Sequence, residues 1–145
     1  MGIYAVLSKR GVIAVTAFLI ICALIFGEYY SAVASQRVNA QSNTQRLDYI
    51  YSLGVEVSQT PVAVQNISIP VEFSDVYTAY NAVQLRAGFD LREFRGKEVT
   101  KYSYRVINDE NIVVNLLVFK DRVIGGDVSS VNINGFMDPL IKKEN

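Results

Sequence analysis

The sequence predicts an α+β domain behind one N-terminal membrane segment, and three observations support this prediction. Residues 112–119 form an apolar run rich in β-branched residues, which is typical of a strand buried on both faces of a sheet. Residues 122–128 form a second strand-like run, and only Lys120 and Asp121 separate the two runs. Residues 11–27 are uncharged and mostly apolar. The first two observations predict a hairpin whose first strand is central, and the third predicts a membrane segment.

Composition limits the classes of function that the chain can have. It has 145 residues, 14 basic and 14 acidic side chains, no His and a single Cys, Cys22. Balanced charge and the lack of any nucleic-acid-binding signature argue against nucleic acid as a partner. Without His or a second Cys, a disulfide framework and a Cys/His zinc site are excluded. We therefore expect one domain of modest size that uses no metal and no cofactor.

Residues 11–34 are predicted to be a transmembrane anchor of the signal-anchor type. Residues 1–10 end in the basic pair Lys9-Arg10, and Glu28 closes the uncharged run. At about 1.5 Å per residue, this run is roughly 26 Å long and can continue to residue 34, enough to cross a bilayer. The positive-inside rule then predicts a cytoplasmic N-terminus and an extracytoplasmic C-terminal domain.

Cleavage and secretion are the alternative for this segment. Ala32-Val33-Ala34 has the small residues that signal peptidase requires, at a suitable distance beyond the apolar run. The run is longer than the roughly 7 to 15 residues of a signal peptide, which favours the uncleaved anchor. Both interpretations export the rest of the chain.

The exported part divides into three regions. The polar residues 35–43 show no apolar period and are interpreted as a linker. Residues 44–140 are predicted to be the extracytoplasmic α+β domain, and residues 141–145 a tail. Within the domain, the apolar positions of 62–69 change face near Gln65-Asn66, which predicts a β-bulge.

Two short helices are predicted inside the domain. Thr44 is a candidate N-cap of the first helix, and Gly54 is placed to end it. Ser74 is a candidate N-cap of the second helix, which Gly88 ends. The predicted apolar stripe of the second helix consists of Val76, Tyr80, Val83 and Ala87, with Tyr77 and Gln84 beside it. We expect both helices to pack on one face of an antiparallel sheet.

Residues 97–107 alternate in a way that predicts a strand with one largely solvent-exposed face. Residues 108–111 are a polar turn that leads into the central strand, so the C-terminal part is predicted to be a three-stranded meander. The solvent-exposed face carries basic residues that are candidates for contact with an anionic surface, either lipid or wall polymer: Lys97, Lys101 and Arg105. A solvated, protected sheet face is the more ordinary interpretation of the same residues.

The sharpest candidate for ligand binding is Gly125-Gly126-Asp127. Paired glycines allow close approach of a backbone or ligand, and a carboxylate there can hold a cation or a sugar hydroxyl. The competing interpretation is a strand bulge whose Asp forms local hydrogen bonds. No second carboxylate has an evident partnership with Asp127, so we identify no metal site and no catalytic residue. Asn115, in an otherwise apolar strand, is predicted to be a structural hydrogen-bonding residue.

Five groups of residues between positions 44 and 140 form short motifs. They are Tyr51-Ser52-Leu53-Gly54 with Val57 and Pro61, Gly88-Phe89-Asp90-Leu91 with Gly96-Lys97, Asn115-Leu116-Leu117-Val118-Phe119, Gly125-Gly126-Asp127 and Gly135-Phe136-Met137. This pattern resembles an uncharacterised bacterial family, the domain of unknown function 4830, and departs from it at Val55 and Asp138. The resemblance implies an exported domain of a Gram-positive bacterium, and it carries over neither an activity nor a catalytic residue.

Two classes of function follow. We favour a non-enzymatic, membrane-tethered extracytoplasmic module that binds a protein partner or a cell-wall component, because nucleophile–base pairs and metal clusters are absent from the sequence. The alternative is a small carboxylate-dependent envelope hydrolase that uses Asp127. A deep pocket with a second carboxylate beside Asp127 would favour the enzyme, and a shallow surface would favour the binding module.

Overall fold

A computed structural model describes residues 15–24, 38–132 and 135–142. The chain separates into two compact units, Met1–Arg37 and Val38–Asn145. In the first unit, residues 15–24 are helical (α1). Within the described part of the chain, no helix is long and apolar enough to cross a membrane, and most of the predicted anchor, residues 11–34, lies outside the described residues.

The second unit is built on a five-stranded antiparallel sheet. Its strands are β1 (Ala63–Ser68), β2 (Glu98–Val106), β3 (Asp109–Phe119), β4 (Arg122–Ser130) and β5 (Met137–Pro139). The strands lie in the sheet in their sequence order, so β3 is the central strand, as predicted. The predicted meander of β2, β3 and β4 is confirmed, and β1 and β5 flank it.

The turn between β3 and β4 matches the predicted two-residue hairpin. Lys120 and Asp121 have φ angles of 46° and 63°, the two positive values that suit the twist of a tight hairpin. The register then shifts by one residue, because Leu117 pairs with Gly125 whereas Val118 pairs with Val123. This β-bulge lies immediately before the glycine pair of β4.

The first helix of the domain, α2 (Asn43–Ser52), begins earlier than predicted. Ser42 is its N-cap, accepting the Gln45 N–H at 3.2 Å and donating its own N–H to the Gln45 side chain at 3.0 Å. The predicted cap, Thr44, is therefore wrong, because Gln45 stands three residues after Ser42 and completes a capping box there. Gly54 follows the helix with φ +80°, as expected of a glycine that ends it.

The second helix, α3 (Asp75–Arg86), has the predicted ends but a different buried face. Ser74 caps it, and the Phe89 N–H donates to the Gln84 carbonyl across Gly88, which has φ +82°. Val76, assigned to the apolar stripe, is 80% exposed, whereas Asn81 and Gln84 are buried. The stripe is wrong at Val76, whereas Tyr80 and Ala87 pack against the core as predicted. Asn81 and Gln84 were missed because hydrogen bonds, and not apolar character, hold these inward positions. A short 3-10 helix, Leu91–Phe94, then places Leu91 in the core as predicted.

The two helices pack on opposite faces of the sheet, so the expectation of a single covered face is wrong. Leu116 belongs to a cluster that includes Leu47 and Ile50 of α2. The adjacent Leu117 belongs to a second cluster that includes Leu91, against which tyrosines of α3 pack. Successive residues of a strand point to opposite faces, so a central strand that is apolar on both faces needs cover on both.

Three further segments differ from the sequence expectations. Residues 38–43 overlap the predicted linker, yet the Ala40 N–H donates to the Asp121 carbonyl at 2.8 Å and Asn39 bridges to β4. β1 pairs with β2 without a register shift, so the predicted bulge at Gln65-Asn66 is wrong. The turn before the central strand comprises residues 107–108 only, and β3 begins within the segment predicted to be a turn.

Candidate functional site

Asp127 lies in β4 beneath α3 and is only 2% exposed. Its Oδ1 accepts a hydrogen bond from the Asn115 side-chain amide at 2.8 Å, and its Oδ2 accepts one from the Tyr80 hydroxyl at 3.1 Å. Burial raises the pKa of Tyr80, and the charge and hydrogen bond of Asp127 raise it further, so the hydroxyl stays protonated as a donor. The carboxylate is therefore enclosed by donors of the protein itself.

The hydrogen bonds continue away from Asp127 along one face of the sheet. The Ser103 hydroxyl donates to Asn115 Oδ1 at 2.6 Å, and the Asn115 amide also donates to Ser129 Oγ at 3.1 Å. Asn115 is thus the structural hydrogen-bonding residue that the sequence predicted. Among the residues that the structure describes, no group of three or more His, Cys, Asp or Glu side chains could hold a metal ion. This polar row holds a sheet together and presents no open carboxylate to a substrate.

Gly125 allows Gln84 of α3 to approach the sheet closely, and Gly126 lies closely against β3 and Leu140. The Gly126 N–H donates to Gln84 Oε1 at 2.7 Å, a bond between residues that are 42 positions apart. A Cβ on Gly125 would lie 2.8 Å from Gln84 Oε1 and 3.1 Å from the Leu91 side chain. A Cβ on Gly126 would overlap a backbone oxygen of β3. The strand-bulge interpretation is confirmed for the bulge, which lies immediately before the pair. It is wrong for the local hydrogen bonds of the Asp, because the partners of Asp127 are Asn115 and Tyr80, which are distant along the chain.

The three basic candidates do not converge on one ligand. Lys97 and Arg105 are exposed and Lys101 is half-buried, and they are spaced along the strand at intervals of about 13 Å, at roughly 3.3 Å per residue. The face that they share is not largely solvent-exposed, because Val99 and Ser103 on it are buried. That expectation is wrong since the 3-10 helix and α3 cover this side of the sheet.

Arg46 is a buried cation that the sequence analysis missed. It is 7% exposed, its Nε donates to the Tyr104 hydroxyl at 2.9 Å, and its Nη1 donates to the Ala40 carbonyl at 2.7 Å. Its guanidinium also stacks 3.9 Å from the centre of the Tyr102 ring. The spacing of Arg46 could have predicted its burial, because residues four apart share one face of a helix and Arg46 stands four residues before the apolar Ile50. Arg46 thus fastens α2 and the segment before it to β2.

A groove of about 840 Å³ with an apolar floor lies on the face that α2 covers. Val106, Ile112 and Val128 of three adjacent strands form its floor. α2 has ten residues, about 15 Å, whereas β3 has eleven residues, about 36 Å, so the helix leaves this end of the face uncovered. The remaining lining residues are Val55, Arg86, Phe136, Asp138, Pro139, Ile141 and Lys142.

The chemistry of this groove suits binding. Arg86, Asp138 and Lys142 bring charges of both signs to the lining and form no ion pair within 4 Å in the described ranges. The described lining contains no Ser, Thr, Cys, His or Tyr, and therefore no nucleophile with an adjacent base. The sequence did not predict the groove, because it forms where several elements end. The apolar residues Phe136 and Ile141, which are exposed in the structure, were the signal available near the C-terminus.

Comparisons with known proteins do not assign the chain to a family. No protein-family model matches it, and comparisons with curated proteins and with solved structures gave no significant match. The resemblance to the domain of unknown function 4830 therefore stays a prediction.

Proposed function

We propose that the chain is a membrane-tethered extracytoplasmic binding module of a bacterial cell envelope. The observation that carries the proposal is the groove, whose apolar floor is open to solvent and whose rim holds charges of both signs that form no ion pair among the described residues. Its volume of about 840 Å³ falls in the range of roughly 300 to 1,000 Å³ that is usual for ligand sites. A protein segment or an envelope component with apolar and charged groups fits such a surface.

The tether rests on the N-terminal sequence. An uncharged run from residue 11 to residue 27 stands between Lys9-Arg10 and Glu28, the charge pattern of an anchor with its N-terminus in the cytoplasm. In the helical residues 15–24, the apolar side chains of Phe18 and Leu24 are exposed, as expected of side chains that face lipid. The family resemblance, with its implied export from a Gram-positive cell, agrees with this location.

The alternative function, a carboxylate-dependent hydrolase, gains no support from the geometry. Asp127 is buried and bonded to Tyr80 and Asn115, whereas a catalytic carboxylate must reach its substrate. Asp138 is the one carboxylate in the described lining of the groove, and no nucleophile accompanies it. We therefore retain the binding module as the proposed function.

The tether is tested by cell fractionation and protease treatment. The full-length chain should remain in washed membranes, with its C-terminal domain digested by protease added outside the cells. Recovery of a chain that starts at Ser35 in the medium would show cleavage and would overturn the anchor.

The groove is tested by photocrosslinking in intact cells. A benzophenone amino acid in place of Phe136, which is exposed in the lining, should give a discrete adduct that mass spectrometry identifies as a protein or envelope component. The matched control is the same replacement at Val131, which is similarly exposed but lies outside the lining. Equal capture at both positions, or no capture at Phe136, would contradict the proposal.

A further inference from the structure

The outer edge of β1 has backbone groups without partners. The strand order places β1 at one end of the sheet, where it pairs only with β2. In an antiparallel ladder, the N–H and C=O groups of every other residue point away from the neighbouring strand. No hydrogen bond from elsewhere in residues 38–132 or 135–142 reaches these outward groups. The edge therefore displays the donors and acceptors that a further strand would use.

This edge also lacks the features that usually protect one. Its sequence, Ala-Val-Gln-Asn-Ile-Ser, has no charge and no Pro, and its pairing has no bulge. Val62 and Val64 are each about half exposed. Natural sheets blunt free edges with charges, Pro, bulges or very short strands, and the opposite edge strand, β5, has three residues and ends in Pro139. One edge is protected and the other is open.

We propose that β1 pairs antiparallel with β1 of a second copy of this chain, joining two five-stranded sheets into one sheet of ten strands. A two-fold axis perpendicular to the sheet relates the copies, so each face continues across the seam. Because β1 carries no charge, self-pairing brings no like charges together. The same operation on β2 would place Glu98, Lys101 or Arg105 beside its symmetry mate.

The β1–β1 contact, called the seam below, is small, and its size indicates that pairing requires copies held close together. Six residues at about 3.3 Å each give a seam of about 20 Å. Such a seam alone falls short of the roughly 1,200 Å² that a stable soluble interface buries. Pairing is therefore weak between free copies and is supported by a tether that keeps copies close together. In this respect the inference rests on the proposed membrane anchor.

The test is disulfide crosslinking of the full chain. Cys22 is first replaced by Ser, and single cysteines are then placed at Val64, Gln65 or Asn66, near the centre of β1. Residues on the two-fold axis of an antiparallel seam have Cα atoms about 5 Å apart, within disulfide reach. Oxidation in washed membranes should give about tenfold more covalent dimer for at least one of the three than for Lys120→Cys, since only the seam holds thiols within bonding distance.

A second variant checks that the dimer comes from strand pairing. Val64→Lys in the cysteine chain that crosslinks, or Asn66→Lys where that cysteine stands at position 64, introduces a charge at an exposed edge position, so the fold should survive and the crosslink should be lost. Val131→Lys, at a similarly exposed position away from β1, should leave the crosslink unchanged. A crosslink that persists in the β1 lysine variant would overturn the inference.

The outcomes separate the pairing from the anchor. Chain found in membranes without a crosslink at any of the three positions overturns the pairing and leaves the tether intact. Chain found outside membranes refutes the tether, and oxidation at about 1 mM protein, the concentration at which even a weak contact is occupied, then decides the pairing. A dimer there supports the pairing, and its absence overturns it.

Discussion

Replacing either of two adjacent leucines of β3 by Ala should destabilise the domain by a similar, large amount. Leu116 and Leu117 are both fully buried, one in the cluster under α2 and the other in the cluster under α3. Each replacement removes three buried carbons at about 0.8 kcal/mol each, about 2.4 kcal/mol before any cavity cost. The cavity left behind raises the expected loss to about 2.7 to 5 kcal/mol. Such a loss is a large fraction of the roughly 5 to 15 kcal/mol by which small domains are stable.

The assay is urea unfolding of a chain that begins at Val38, the first residue of the second compact unit. From Val38 onward the chain has six Tyr and no Trp, so tyrosine fluorescence and circular dichroism report the transition. For a domain of about 100 residues, a loss of 2.4 kcal/mol lowers the melting temperature by roughly 10 °C or more.

Lys101→Ala is the matched control, because Lys101 pairs directly with Leu117 across the sheet and is only half-buried. Lys101→Ala should change the free energy of unfolding by no more than about 0.5 kcal/mol. If one leucine variant has the same melting temperature as the control, one face of the central strand is open. Packing of a helix on each face of the sheet is then refuted. If all three variants melt together, the central position of β3 is refuted as well.

Further outcomes follow from single contacts. Ser42→Ala should lower the free energy of unfolding by about 1 kcal/mol and Thr44→Ala by clearly less, because only Ser42 accepts a hydrogen bond at the helix N-terminus; urea unfolding compares the two. Gly126→Ala should lower the free energy of unfolding by about 1 to 3 kcal/mol, because the added methyl group would overlap a backbone oxygen of β3. A wild-type melting temperature would contradict this. Stability should fall between pH 10 and pH 12, because burial raises the pKa of Tyr49 from 10.0 to about 12 and also raises the pKa of Tyr80, so the folded state keeps protons that the unfolded chain loses. Tyr49→Phe should remove only its own part of this loss in melting curves across that range. Asp127→Asn should keep both the melting temperature and any cellular phenotype, because the amide preserves shape, its oxygen can accept from Asn115 and its NH2 can donate to the Tyr80 hydroxyl oxygen. A null phenotype at wild-type stability would restore the ligand-site hypothesis.

The features that sequence predicted well depend on neighbours along the chain. The β3–β4 hairpin follows from two apolar runs and the two residues between them, and the ends of α3 follow from Ser74 and Gly88. A cap or a turn is completed within a few residues, so its signal stands in the local sequence.

The missed features depend on residues that are distant along the chain. Asn81 and Gln84 face inward because they meet the backbone N–H groups of Leu91 and Gly126, respectively, and no apolar period announces such partners. The placement of the helices on opposite faces was implicit in the doubly apolar β3, but the choice of face for each helix is a tertiary outcome. The groove arises where several elements stop, so it has no sequence pattern of its own.

The polar row across the sheet has a consequence for strand alignment. Ser103, Asn115 and Asp127 stand directly opposite one another on β2, β3 and β4. Sliding β3 by one residue would turn Asn115 to the other face of the sheet, among leucine and valine side chains. The remaining polar groups would lose their hydrogen-bond partners, and each unpaired group would destabilise the fold by about 1 to 3 kcal/mol. The run of Val, Ile and Leu in β3 offers apolar contacts of similar quality in several alignments, so the row of three polar side chains selects the native register from among them.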